Sequence, residues 1–160
     1  MPLIVDRRTV LAGMAALSLT RPSLAATTHD IKMLNVDPDD RKKRMIFLPL
    51  IQTVEPGDSV RFVASDKGHN SVSNKGMIPE GTEEWKGKIN EELTLTFEKP
   101  GVYGYRCVPH AAIGMVGLII VRGDGMTDNL EAAKAVRQRG RAKKIWEEIW
   151  ATVESEGLLS

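Results

Sequence analysis

Cysteine and histidine are both scarce in this chain. Its 160 residues include one cysteine, Cys107, and three histidines. A single cysteine excludes the internal disulfide framework that stabilises many small exported proteins. An unpaired thiol is a liability in an oxidising compartment, and binding to a metal ion would remove that liability. The simpler alternative is that Cys107 is a small buried apolar residue.

A large net charge and long apolar runs are also missing. The formal net charge is +1 at pH 7, and it would become −1 if residues 1–25, which carry three arginines and one aspartate, were removed. This near-neutrality argues against nucleic-acid binding through bulk charge. Beyond the N-terminal region no apolar run is long enough to span a bilayer. We therefore expect one domain with no nucleic-acid partner and, in its mature form, no membrane contact.

Residues 1–25 show the order of features found in an export signal. A charged start containing Arg7 and Arg8 precedes the apolar stretch Leu11–Leu19, and Ser23-Leu24-Ala25 has the small-x-small pattern of a cleavage site. The arginine pair is similar to that of twin-arginine signals. We predict that this segment is a cleaved, twin-arginine-like export signal and that the mature protein is periplasmic.

Both the export route and the cleavage position have alternatives. Asp6 stands where a serine or threonine usually precedes the arginine pair, so a Sec signal or an uncleaved amphipathic helix is also compatible with the sequence. Cleavage could follow Ala25 or Ala26. Cleavage after Ala26 would place His29 third in the mature chain, where a free amine and the imidazole could chelate Cu(II) in a square plane.

Short apolar segments separated by turn residues fill residues 29–122. Several of them alternate apolar and polar residues with period two, as half-buried strands do, and Pro-Gly turns lie between them. This pattern predicts an all-β antiparallel sandwich, with Pro49 at an edge or bend. Gly76–Asn90 is predicted to be a loop with a helical turn near Trp85. The predicted strands are His29–Val36, Met45–Leu48, Ile51–Val54, Ser59–Val63, Leu93–Phe97, Val102–Arg106 and Val116–Val121.

The composition changes after Gly123 and becomes rich in Ala, Glu, Lys and Arg. Asp128–Arg139 and Arg141–Glu154 contain no proline, and apolar residues recur at helical spacing from Ile145 to Val153. We predict two C-terminal helices with Gly140 between them. Their apolar stripe is expected to pack on the sandwich, with a partner-binding face as the alternative. The predicted divisions are thus residues 1–25 for the signal, 26–123 for the β domain and 124–160 for the helices.

The run from Cys107 to Met115 carries the strongest chemical signal. It brings a thiol, the imidazole of His110 and a thioether into one short loop after a strand, and His69 lies upstream in a second loop. Two histidines, one cysteine and a weakly bound methionine are the ligand set of a blue-copper electron-transfer centre. Taken singly, each residue has an ordinary structural explanation, but together they predict a type 1 copper site.

The expected roles follow from what such a site requires. Cu(I) and Cu(II) prefer different coordination, and a trigonal plane of two imidazoles and one thiolate suits both states. His69, Cys107 and His110 would form that plane, with Met115 at the long axial position. Asn70, beside His69, is expected to tie its loop to the Cys107 loop by hydrogen bonds, unless it is an ordinary turn residue.

Residues 29–123 closely resemble the pseudoazurins, small type 1 copper proteins within the cupredoxin family. The similarity is carried by the motif around His69, by the Cys107-x-Pro109-His110 loop through Met115, and by several turns. It implies an eight-stranded Greek-key sandwich with two C-terminal helices and the ligands His69, Cys107, His110 and Met115. It also implies a monomeric periplasmic electron shuttle that is not itself an enzyme. The other matching pieces are Met33-Leu34-Asn35, Glu55-Pro56-Gly57-Asp58, Met77-Ile78-Pro79-Glu80-Gly81, Lys88-Ile89-Asn90-Glu91 and Lys99-Pro100-Gly101.

The expected docking surface departs from the family pattern. The family usually has an aromatic residue directly after the second histidine and a methionine two positions later, where this chain has Ala111 and Ile113. The resemblance implies redox partners such as copper nitrite reductase or a periplasmic cytochrome, docked around His110. It also implies a ring of basic residues, which would steer acidic partners, unless it is an ordinary solvated surface. This ring is Lys67, Lys86, Lys88 and Arg106.

Two other functions use the same residues. Copper storage or delivery favours many exposed Met and His ligands, and this chain has only three histidines. A hydrolase could use Cys107 with His110 or His69 as its base, but it would also need an oxyanion site and a substrate cleft. Both remain alternatives to the electron carrier.

Overall fold

The computed structural model describes residues 25–160 and contains eight strands, one 3-10 turn and two helices. All of the predicted export signal except Ala25 lies outside the described residues. The strands are β1 (Thr28–Val36), β2 (Arg44–Leu48), β3 (Ile51–Val54), β4 (Ser59–Val63), β5 (Val72–Ser73), β6 (Leu93–Thr96), β7 (Gly101–Arg106) and β8 (Val116–Val121). The 3-10 turn spans Ala111–Ile113, and the helices are α1 (Leu130–Ala135) and α2 (Arg141–Ser155).

The strands form two four-stranded sheets, in the orders β2-β1-β4-β6 and β3-β8-β7-β5. The chain crosses between the sheets at Pro49 and Leu50, so β2 and β3 each become an edge strand, as the proline predicted. The eight-stranded Greek-key sandwich with two C-terminal helices is therefore confirmed. The prediction of an antiparallel sandwich was wrong in one respect, because β1 pairs with β4 and β3 pairs with β8 in parallel. Alternation along a strand reports which face is buried and carries no information about the direction of its neighbour.

The core is divided into two layers. Between the sheets lie apolar side chains that include Phe47, Phe62 and Tyr105, whose rings meet edge to face. Between the second sheet and the helices lie Trp146 and Ile149 of α2. Because both faces of β8 are covered, all six of its residues are buried, which explains its unbroken apolar run. Apolar residues of the helical stripe share this second layer with Val102, Leu118 and Ile120 of the sheet.

Two local predictions differ from the structure. The first helix ends at Ala135 instead of Arg139, because Val136 packs beside Gly76 and Gln138 donates to Met77 Sδ at 3.3 Å, which draws this segment onto a loop. The helical turn near Trp85 is absent. That segment runs extended, and its backbone pairs with Ser73 and Val72 of β5, a two-residue strand too short to show periodicity.

Within residues 25–160, none of the helices combines the length and the hydropathy needed to cross a membrane.

Candidate metal centre

The loop between β7 and β8 is closed by its own backbone. Cys107 directly follows β7 and Met115 directly precedes β8, and the Cys107 N–H donates to the Met115 carbonyl at 3.0 Å. The Met115 N–H in turn donates to the carbonyl of His110 at 3.1 Å. Gly114 ends the 3-10 turn with φ of 105°, a left-handed conformation that favours glycine. These backbone bonds hold the loop closed, so its three predicted ligands, Cys107, His110 and Met115, lie on one compact turn.

His69 approaches Cys107 and His110 from a second loop. It lies in the irregular segment before β5, and its backbone carbonyl accepts the N–H of Asn90 at 2.8 Å. The side chain of Asn90 accepts the N–H of Gly68 at 2.7 Å, which fixes the loop on both sides of the histidine. His69 is fully buried although it is polar, so its ring nitrogens must be satisfied inside the protein.

Three candidate ligand atoms converge. Nδ1 of His69 and Nδ1 of His110 lie 3.1 Å apart, and Cys107 Sγ lies 3.8 Å from the first and 3.5 Å from the second. The point equidistant from these three atoms is about 2.0 Å from each, close to the ~2.0–2.3 Å bonds that imidazole and thiolate form with zinc, another first-row metal ion. No other group of three or more His, Cys, Asp or Glu side chains within residues 25–160 converges in this way. The triangle fits a trigonal metal site.

Met115, the predicted axial ligand, lies at the end of the same loop, directly before β8. It is fully buried and belongs to the same core cluster as Cys107. A buried thioether is a soft, weak donor of the kind that blue-copper sites use at a long distance.

Asn35 orients the buried histidine. Its Oδ1 lies 2.9 Å from His69 Nε2 and can only accept, so Nε2 carries the proton and Nδ1 keeps a free lone pair towards the other donors. The Asn35 N–H donates to the carboxylate of Asp66 at 2.6 Å, which links β1 to the loop of His69. The sequence analysis missed this role, since an asparagine near the end of a strand carries no local signal of a partner 34 residues away.

Asn70 joins the two ligand loops, as its position predicted. Its Oδ1 accepts the N–H of Val108 at 2.9 Å, and its Nδ2 donates to the carbonyl of Gly87 at 3.0 Å. The side chain is buried, so both bonds are sheltered from water.

Burial disfavours the charged forms of His69 and Cys107. It lowers the pKa of His69, the charge on a protonated His110 lowers that pKa further, and Asp66 acts in the opposite direction. Burial raises the pKa of the Cys107 thiol, although backbone N–H groups of Asn70 and His110 oppose the shift. A thiol held in its neutral form is a poor nucleophile, which counts against the hydrolase alternative. A cation bound among the donors would favour the thiolate.

The third histidine is not part of this cluster. The ring of His29 lies 2.9 Å from Asp58, and its strand pairs with β4 from Thr28 onwards. A square-planar Cu(II) site at the N-terminus would have to break these pairings, so the structure does not favour it.

The surface around His110 is apolar at its centre. His110 is half-buried, and among residues 25–160 the large apolar side chains classed as exposed are Val108, Ile113 and Ile89. Two of them belong to the loop that carries the candidate ligands. The basic residues of the predicted ring, Lys67, Lys86, Lys88 and Arg106, are all exposed.

Comparison with known proteins gives consistent matches. Residues 34–122 match the family described as copper binding proteins of the plastocyanin/azurin family. The chain is 44% identical over 133 residues to the pseudoazurin of Paracoccus pantotrophus, covering 83% of this chain and 88% of that protein. It is 37% identical over 153 residues to the pseudoazurin of Methylorubrum extorquens, covering 95% of this chain and 100% of that protein. Among solved structures, a pseudoazurin from Sinorhizobium meliloti superimposes with a TM-score of 0.74 at 49% identity, covering 81% of this chain and 98% of the other.

Proposed function

Because this chain belongs to the plastocyanin/azurin family of copper-binding proteins, as a copper electron carrier similar to pseudoazurins, we propose that its ligands are His69, Cys107, His110 and Met115. The observation that carries this proposal is the convergence of His69 Nδ1, His110 Nδ1 and Cys107 Sγ. A point between them lies about 2.0 Å from each atom, a distance suited to metal bonds of ~2.0–2.3 Å. Copper, when bound, supplies a one-electron couple between Cu(I) and Cu(II).

The protein's own residues prepare the site for that couple. His69 is fixed by Asn35 and buried, so it stays in place in both oxidation states. Cys107 is fully buried, which excludes water from its sulfur. Ligands whose positions are fixed by the protein rearrange little when the charge at the site changes. Little rearrangement favours fast electron transfer.

His110 is the proposed exit for the electron. It is the one member of the three-donor cluster that is not fully enclosed, and exposed apolar side chains flank it at Val108 and Ile113. A small apolar patch lets a partner approach closely while binding weakly, as a mobile carrier requires. The protein makes and breaks no bond in its partner, so we propose no enzymatic role.

The basic ring would select the partner. Lys67, Lys86 and Lys88 are exposed, and within the described part of the chain none of them forms an ion pair with a carboxylate. Unpaired cations around an apolar patch steer an acidic protein into place. We propose that the partner is a copper nitrite reductase or a periplasmic cytochrome and that the carrier acts as a monomer.

Export to the periplasm completes the proposal. Residues 1–25 have the order of an export signal, and the free thiol of Cys107 would be protected there by metal binding. The intact mass of the protein recovered from a periplasmic extract tests both statements. A mature chain beginning at Ala26 is expected, and an uncleaved chain retained in the cytoplasm would contradict export.

The partner proposal is tested by stopped-flow electron transfer from the reduced protein to a copper nitrite reductase. Lys88→Glu should lower the second-order rate at low salt by on the order of tenfold, and added salt should close the difference. Lys99→Glu is the matched control, because Lys99 precedes β7 at the end of the sandwich away from Cys107. Equal rates for the two variants would contradict steering by the basic ring.

A further inference from the structure

The first turn of α2 lies against the loop from Cys107 to Met115, the candidate copper loop. Gly140 directly precedes α2 with φ of 59° and ψ of −145°. A Cβ atom at this position would lie 2.5 Å from the carbonyl oxygen of Ala112 and 3.4 Å from its carbonyl carbon. The backbone of Gly140 therefore touches the 3-10 turn between His110 and Met115, and no side chain fits between them.

A second contact lies one residue before Met115. A Cβ atom on Gly114 would lie 3.0 Å from Ile145 Cγ1 and 3.4 Å from the side chain of Arg141. Both of those residues belong to α2. Ile145 is half-buried, so its side chain rests on the Gly114 backbone and also joins the apolar layer beneath the helix.

These contacts reach the ligands through short backbone links. Met115 follows Gly114 directly, its N–H donates to the carbonyl of His110, and its carbonyl accepts the N–H of Cys107. A displacement of the 3-10 turn would thus move three of the four proposed ligands relative to His69, which a separate loop holds.

The position of α2 is fixed by its packing on the second sheet. Trp146 and Ile149 are buried against the second sheet, and Val153 extends the contact along the helix. Burial of these apolar side chains stabilises the packing of the helix on the sheet. The second sheet also contains β7 and β8, from which the copper loop emerges. The helix and the two ends of the loop therefore share one rigid base.

We propose that the first turn of α2 is a positioning element for the copper centre, with Gly140 and Ile145 as its positioning residues. They act through the 3-10 turn and set where His110 and Met115 stand relative to Cys107. The proposal deepens the proposed function and rests on it for the identity of the metal. The C-terminal helix thereby tunes the electronic structure and the reduction potential of the site, besides stabilising the fold.

Two matched glycine variants separate tuning from stability. Gly140→Ala and Gly157→Ala place a Cβ at nearly the same φ, 59° and 61°, at opposite ends of α2. At Gly157 the added atom meets only Ser160 Oγ, at 3.1 Å, and nothing of the copper loop. We expect Gly140→Ala to change the reduction potential and the ratio of the two visible thiolate-to-copper bands, whereas Gly157→Ala changes neither. Equal spectra and potentials for both variants and the unmodified protein would overturn the proposal.

A second pair covers the possibility that Gly140→Ala does not fold. Ile145→Ala removes the contact with Gly114, and Ile149→Ala removes a fully buried side chain of the same helix that has no part in that contact. A purely structural role for α2 predicts that Ile149→Ala, the more destabilising change, also shifts the spectrum more. The positioning role predicts that Ile145→Ala shifts the spectrum and the potential while Ile149→Ala lowers only stability.

NMR of the same variants without copper tests the positioning role of α2 separately from the type 1 copper site. In the metal-free protein, the NMR resonances of the Met115 methyl group and the His110 ring should move in Gly140→Ala and Ile145→Ala and stay in place in the two controls. A colourless copper-loaded protein with these shifts would remove the type 1 assignment and leave the positioning role intact. Unchanged resonances would overturn the positioning role whatever metal binds.

Discussion

At the scale of single residues, the candidate site depends on groups that fix the ligands as much as on the ligands. His69, Cys107 and His110 stand out in the sequence because their residue types and spacing point to one chemistry. Asn35 does not, although it decides which nitrogen of His69 is free to bind. Its role could not be predicted, because it depends on β1 lying beside the loop of His69 in the folded protein.

Removal of the Asn35 amide is expected to weaken metal binding. In Asn35→Leu the His69 Nε2–H loses its acceptor, so the ring loses both its fixed tautomer and its fixed orientation. Copper affinity should fall roughly 10–100-fold, measured by competition with a Cu(I) chelator. Gln52→Leu is the matched control, since Gln52 is a half-buried amide whose partners are His29 and Thr53. Equal affinities for the two variants would contradict the orienting role.

At the scale of elements, strand positions could be predicted better than strand partners. Ile51–Val54, Ser59–Val63 and Val116–Val121 match the observed β3, β4 and β8 at both ends. The parallel pairings of β1 with β4 and β3 with β8 were missed, because direction depends on where the chain crosses between sheets. The end of α1 was missed for a similar reason, since contacts with the loop at Gly76 and Met77 outweigh helix propensity after Ala135.

The start of β1 is held by Asp58, and this contact should make stability depend on pH. The Asp58 carboxylate accepts the N–H of Thr27 at 2.8 Å, lies 2.9 Å from His29 Nε2 and accepts the N–H of Glu55 at 3.1 Å. The bond from Thr27, followed by that from His29, lowers the pKa of Asp58. A lowered pKa in the folded state stabilises the protein above the unfolded pKa, and this contribution is lost as the pH falls through the folded pKa.

Asp58→Asn should therefore lower the free energy of unfolding by about 1–2 kcal/mol near pH 6. The difference from the unmodified protein should shrink once the pH falls below the ordinary aspartate pKa of about 3.9, where the unfolded chain binds the proton first. It should vanish below the lowered pKa of folded Asp58. Urea unfolding between pH 3 and pH 7 measures both. Asp39→Asn serves as the control at an exposed turn. A difference that stays constant over this range would exclude a charge effect of Asp58.

The second apolar layer makes α2 part of the folded unit. Ile149 is fully buried between the helix and the second sheet. Ile149→Ala should cost about 2–5 kcal/mol by leaving a cavity, while Ile89→Ala, at a side chain that is 47% exposed, should cost little. Thermal unfolding of the two variants checks this. Similar losses would show that the helix layer is not coupled to the sandwich.

At the scale of the whole molecule, the candidate site occupies one end of a rigid sandwich. The two ligand loops meet there, and the exposed apolar side chains Val108 and Ile113 lie in one of them. The resemblance of the sequence to pseudoazurins predicted this arrangement. It could not predict that the first turn of α2 also reaches the loop, because that contact joins segments that are adjacent only after folding.

A substitution in the apolar patch beside His110 should weaken partner docking without altering the candidate copper site. Ile113→Ser shortens an exposed apolar side chain without adding charge. We expect the electron-transfer rate to a copper nitrite reductase to fall by roughly tenfold, as for a contact residue worth about 1.4 kcal/mol, with no change in the visible spectrum. Thr82→Ser, away from this loop, is the control. An unchanged rate for Ile113→Ser would place the docking surface elsewhere.

The visible absorption and EPR spectrum of the protein loaded with one Cu(II) tests the central claim most directly. The account predicts intense thiolate-to-copper charge transfer and a small parallel hyperfine splitting, both lost in Cys107→Ser. A pale spectrum with the large splitting of ordinary Cu(II), unchanged by Cys107→Ser, would show that the thiolate is not a ligand and would contradict the type 1 site.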